Sequence, residues 1–172
     1  KKITEIDRKL LEEIKKATTI LLSFETNEIW IDKKFDKAWY SFYGNIYKQK
    51  PFANRGKLRI ITNHQLKKIM ISIIKILKKF GKKKFILMTS PNHLLTTYQN
   101  LDVKIADNIS KSSYCSVFKE LEDLKDVKYF PSYEIFLRHN EKKINKYRSD
   151  QLHISNKFTN KVLLKYFEKS FF

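Results

Sequence analysis

Three short apolar runs, each set behind a longer amphipathic segment, constrain this chain more than any other feature. They lie in Thr18–Ser23, Lys84–Met88 and Val127–Phe130. Runs this short, bounded by turn-forming or polar stretches, read as strands buried in a parallel sheet. Ahead of the first, Ile3, Ile6, Leu10, Leu11 and Ile14 recur at helical spacing with charges between them. Ahead of the second, a helix is predicted over Asn63–Phe80. Its apolar face is Leu66, Ile69, Met70, Ile73, Leu77 and Phe80, with Asn63 as N-cap and Gly81 as the C′ residue. Ahead of the third, Ile105–Leu124 predicts a helix with Ile109, Tyr114, Val117, Phe118 and Leu121 inward. A last helix begins near Asn156 behind a Ser155 cap, and Phe158, Val162, Leu163, Tyr166 and Phe167 are its apolar residues. Pro91 and Pro131 block continuation of the second and third strands. Alternating helix and strand is the pattern of an α/β layer structure with a parallel sheet.

Residues 24–57 read as a long irregular segment. It carries Trp30, Phe35, Trp39, Tyr40, Phe42, Tyr43, Tyr47 and Phe52, which form either a ligand platform or a satellite core. No repeat and no composition shift divides the chain, so its 172 residues form a single unit. The single cysteine, Cys115, excludes an internal disulfide framework and a cysteine-based zinc site, and reads as a small core residue. No apolar run approaches the ~20 residues of a membrane span.

Net charge is +18, from 36 Lys+Arg against 18 Asp+Glu. Such an excess raises nucleic acid or an anionic membrane as a partner. Arginine, however, occurs only at Arg8, Arg55, Arg59, Arg138 and Arg148, and lysine is spread along the whole chain. That distribution reads as a general surface bias and argues against nucleic acid, whose readers lean on arginine. The alternative is a non-catalytic basic module that binds nucleic acid or another polyanion, with the aromatic segment stacking on bases. A third reading lays the Asn63–Phe80 helix on a membrane surface.

Ligands of open α/β sheets bind beyond the carboxyl ends of the strands. Phe24–Trp30, Thr89–His93 and the segment from Phe130 to His153 fall there. Asp150 and His153 form an Asp-x-x-His pair. A turn at this spacing brings the carboxylate to the ring Nδ1–H and leaves Nε2 as a general base. The competing reading is a capping aspartate beside an exposed histidine. The Asn27 amide could donate to an oxyanion, or it could serve as a turn asparagine. Ser90, before Pro91, reads as a turn residue, and its nearness to His93 in sequence does not make the two face each other. His64 and His139 have no second ligand at metal-binding spacing, so no metal site is supported. No Gly-rich phosphate loop occurs, and no cofactor is implied.

Several blocks, taken in order, resemble the later part of the GSCFA family of the SGNH hydrolase superfamily. They are Ser23–Asp32, Thr89-Ser90-Pro91, Asn108–Ser112, Tyr129-Phe130-Pro131-Ser132-Tyr133-Glu134 and Asp150-Gln151-Leu152-His153. The resemblance runs from about residue 17 to the end. It implies a three-layer α/β/α flavodoxin-like domain and serine-nucleophile chemistry on an O-acyl ester, such as a carbohydrate ester, without metal or cofactor. By match, Asp150 and His153 are the acid and base of the triad, and Asn27 lies where the superfamily places an oxyanion-hole asparagine. In that block Glu25 replaces the usual glycine and Glu28 the last residue, while Glu28-Ile29-Trp30 matches the family's Glu-x-Trp. The N-terminal Gly-Ser-Cys-Phe-Ala block that names the family does not occur here. The resemblance therefore implies a partial domain whose first strand and nucleophile lie upstream, or a degenerate homologue. Either would leave these 172 residues inactive alone. It also implies that the strand at Thr18–Ser23 is an unpaired edge with exposed apolar surface beside it.

Overall fold

The computed structural model describes residues 5–38, 56–140 and 144–171. Helix α1 (Glu5–Lys16) leads into β1 (Thr19–Phe24). An antiparallel insert follows, made of β2 (Glu28–Asp32), β3 (Lys37–Ala38) and β4 (Gly56–Ile60). Then come α2 (Asn63–Lys78), β5 (Lys84–Thr89), α3 (Val103–Leu121), β6 (Val127–Phe130) and α4 (Ser132–Arg138). The chain closes with α5 (Asn156–Phe158), a π-helical turn (Thr159–Leu163) and α6 (Leu164–Phe171).

The main sheet is parallel, in the order β1-β5-β6. Its register pairs Ile20 with Phe85, Leu22 with Leu87, Phe85 with Val127 and Leu87 with Tyr129. Side chains alternate across a pleated strand, so Ile20, Leu22, Phe24, Phe85, Leu87, Val127 and Tyr129 share one face. Leu66, Met70 and Ile74 of α2 and Tyr114, Val117, Phe118 and Leu121 of α3 pack there. On the other face, Phe130 meets Phe167 and Phe171 with ring centroids 5.1 and 6.1 Å apart. The architecture is the parallel α/β layer structure that the alternating pattern predicts, in the three-layer, flavodoxin-like form that the family resemblance implies.

Several local expectations change. Helix α2 is capped by Thr62, not Asn63. The Thr62 hydroxyl accepts from the Gln65 N–H, and the Gln65 side chain accepts from the Thr62 N–H at 3.1 Å. Its buried face runs through Ile74, while Ile69 is 40% exposed. Because that face lies on the sheet, it is not available to a membrane surface. Gly81 takes φ +116°, which glycine alone adopts without strain, at the turn into β5. In α3, Ile109 points outward at 45% exposure, contrary to expectation. The segment after Phe24 is not wholly irregular, since it builds the β2–β3–β4 sheet. Of its aromatics, Trp39, Tyr40, Phe42, Tyr43, Tyr47 and Phe52 lie outside the described residues.

Strand β1 is an edge. It pairs with β5 on one side, and no strand among the described residues pairs with its other side. Leu21 is 48% exposed there, and Ile6 and Leu10 of α1 are exposed at 78% and 57%. Buried Lys83 holds the end of α1 to the sheet, donating to the Ala17 carbonyl at 2.7 Å.

Candidate active site

Parallel strands end at a common edge, and the exits of β1, β5 and β6 meet there. The β5 exit anchors the others. The Ser90 N–H donates to Phe24 O at 2.8 Å, and the buried Ser132 hydroxyl donates to Thr89 O at 2.6 Å. The Ser90 Oγ accepts the Asn92 N–H at 3.3 Å, the turn role its sequence context suggests.

Asp150 and His153 come together on a tight turn in which Gln151 adopts φ +56°. His153 Nδ1 lies 2.7 Å from Asp150 Oδ2. The other carboxylate oxygen, Oδ1, accepts the backbone N–H groups of Leu152 and His153, both at 2.9 Å. The His153 and Leu152 amides, followed by the imidazole, hold the Asp150 carboxyl down at about 2. With Asp150 ionised and able only to accept, Nδ1 is the donor, which in the neutral tautomer leaves the lone pair on Nε2. The side chains of His153 and Asp150 are 56% and 42% exposed. A pair this open contributes little to folding, so stability does not account for its geometry.

Asn27 is placed differently. It is 2% exposed; its Oδ1 accepts the Ser110 hydroxyl at 2.7 Å and its Nδ2 faces Ile61 O at 3.5 Å. The amide is turned into the protein, where it fastens β1's exit to α3 and to the end of the insert. In this geometry its hydrogen bonds run inward, to Ser110 and Ile61. Two positions earlier, Glu25 is half-buried. Burial pushes its carboxyl up; the Lys111 ammonium opposes this most, Asp107 adds to it, and His153 and His93 oppose it. Glu25 thus lies within the electrostatic reach of both histidines.

Sequence reasoning missed a buried ionic cluster beneath the turn. Lys111 is fully buried, and its Nζ meets Asp107 Oδ1 at 2.7 Å and also donates to Asn92 O. Asp107 Oδ2 accepts from His93 Nδ1 at 2.9 Å, and Oδ1 accepts the Leu94 N–H at 3.3 Å. His93 Nε2 meets the Tyr147 hydroxyl. One signal could have found this cluster. Stepping back from Tyr114 by helical spacing reaches Lys111, Ser110 and Asp107, so the inward stripe of α3 turns polar halfway along.

The sequence blocks do structural work around the site. Tyr133 donates to Asn108 Oδ1 at 2.7 Å, and Tyr129 donates to the Glu134 carboxylate at 2.7 Å. Glu28 accepts the Tyr98 N–H and the Gln99 amide at 3.2 and 2.9 Å, clamping the loop after β5 onto β2, where Trp30 meets Tyr98 edge to face. Cys115 is half-buried, its Sγ 3.6 Å from the Thr89 hydroxyl, and burial raises its thiol. Among the described residues, no cluster of three or more His, Cys, Asp or Glu could hold a metal ion. Among them also, no helix is long and apolar enough to cross a membrane.

A parallel α/β layer fold with a carboxylate–imidazole pair at the strand exits defines the class. The family model of the GSCFA family matches residues 1–166, and the chain belongs to that family. No curated protein and no solved structure matches it.

Proposed function

We propose that this chain is the acid–base portion of an SGNH-type serine hydrolase or acyltransferase acting on an O-acyl ester, such as an acylated carbohydrate. The observation that carries the reading is the 2.7 Å contact between Asp150 Oδ2 and His153 Nδ1 on an exposed turn at the sheet's carboxyl edge. His153 Nε2 makes no hydrogen bond to the described residues and is the base. It takes the proton of a serine hydroxyl as Oγ bonds to the acyl carbon. It then gives that proton to the departing alcohol. Water or an acceptor alcohol, deprotonated in turn by Nε2, resolves the acyl-enzyme and regenerates the serine. Asp150 stays ionised, fixes the tautomer and stabilises the imidazolium.

The serine is proposed to come from a strand preceding this sequence and docking on the open side of β1. Asn27 serves as a positioning residue at the β1 exit. Hydrolysis of p-nitrophenyl acetate by the protein with its upstream block tests the reading. Asp150→Asn is expected to lower kcat about 10⁴-fold, as in other triads, and His153→Ala at least as much. Rates within twofold of wild type in both variants contradict it.

A further inference from the structure

We infer that the buried Lys111–Asp107 pair, acting through Asn92 and His93, sets the position of the Asp150–His153 turn. The inference rests on reading that turn as the site's acid–base pair, and it names the residues that aim it.

The turn's own hydrogen bonds define its shape but not its place on the sheet edge. Two bonds from the loop after β5 tie it there, one on either side of His153. The His93 N–H donates to Leu152 O at 3.0 Å, and the Ile154 N–H donates to Asn92 Oδ1 at 3.0 Å. Both come from one dipeptide in the loop after β5. That dipeptide is in turn held by α3, since Lys111 Nζ donates to Asn92 O and Asp107 Oδ2 accepts from His93 Nδ1 at 2.9 Å. The second ring nitrogen of His93 returns to the turn's own segment through Tyr147, which bridges to Ile154.

Chemistry points the same way. Lys111 is 0% exposed, and a buried ion pair is weak evidence for stability because apolar side chains of similar volume often do as well or better. Apolar replacements could not bond to a carbonyl and an imidazole at once. The pair therefore gives the fold a fixed register between α3 and the loop after β5, which itself holds the turn. Lys111 and Asp107 are positioning residues, not groups that touch a substrate.

Two variants of the full protein test this by NMR. Asn92→Ala removes the acceptor of the Ile154 N–H and leaves the buried charges alone. The double variant Asp107→Leu/Lys111→Met removes both charges together, so that neither is left unpaired. In each, the His93 N–H, which donates to Leu152 O, is expected to lose protection from hydrogen exchange, and the His153 ring resonances to exchange-broaden. Ester turnover is expected to fall at least tenfold in kcat with KM within threefold. A purely stabilising role predicts that the double variant, once folded, keeps both NMR signatures. Unchanged signatures in folded Asn92→Ala overturn the inference, and that variant decides if the double variant does not fold. Shifted signatures without ester turnover even in wild type sustain the inference and remove the hydrolase reading alone.

Discussion

Asp150 and Glu25 are carboxylates at one edge with opposite environments, and their titrations should diverge. Asp150 accepts two amides and an imidazole, which lowers it to about 2. Its folded value lies below the unfolded one, near 3.9. The stability it adds is present above that unfolded value and is lost as pH falls through the folded one. Carboxyl ¹³C shifts should place its midpoint near 2, whereas a midpoint near 4 would mean the turn is not formed in solution. Glu25 is raised, with burial as the largest cause. Its stabilising share is present at low pH and disappears as pH rises through its folded value. Glu25→Gln should therefore raise Tm at pH 7 and leave it unchanged at pH 3. The gain should stay under about 1 kcal/mol, because the carboxyl is only half-buried. Equal shifts at both pH values would contradict this. The Asp-x-x-His spacing was legible as a pair, because three residues suffice for a turn. Asn27's orientation was not, since its partners Ser110 and Ile61 are far away in sequence.

Helix α3 joins two environments along one stripe. Its second half packs Tyr114, Val117, Phe118 and Leu121 into the core, and its first half points Asp107, Ser110 and Lys111 inward. Apolar periodicity located the second half correctly. It misplaced Ile109, because the inward side there is polar and the outward side carries Ile105 and Ile109. Urea unfolding should register the difference. Phe118→Ala should cost about 3–5 kcal/mol, and Ile109→Gln should stay within about 0.5 kcal/mol. Comparable losses would place the stripe wrongly. At α2, Thr62→Ala should cost about 1 kcal/mol through loss of the capping box, and Asn63→Ala much less. The β2–β3–β4 insert was hidden from sequence reading because β2's main partner, β4, lies well downstream and its segment mixes polar with apolar residues. Seven-residue α4 is too short to show a period.

At the scale of the whole molecule, β5 is the central strand, and β1 and β6 are the edges among the described residues. Strand direction was readable because short apolar runs behind amphipathic helices admit few topologies, and the layer order came with the family resemblance. The site's support was not readable, since it depends on contacts between α3, the β5 exit and the His153 segment. The proposed upstream strand has a direct signature in hydrogen exchange. Amides of β1 that point away from β5 should exchange quickly in the 172-residue chain and slowly in the protein carrying the upstream block. Equal protection in both would remove the docking proposal. The reading as a whole turns on whether His153 activates a serine. Covalent labelling of the full-length protein by a fluorophosphonate measures this directly. The account predicts stoichiometric modification of one serine that slows at least 10³-fold in His153→Ala. Labelling at the same rate in wild type and His153→Ala, or none in wild type, would contradict it.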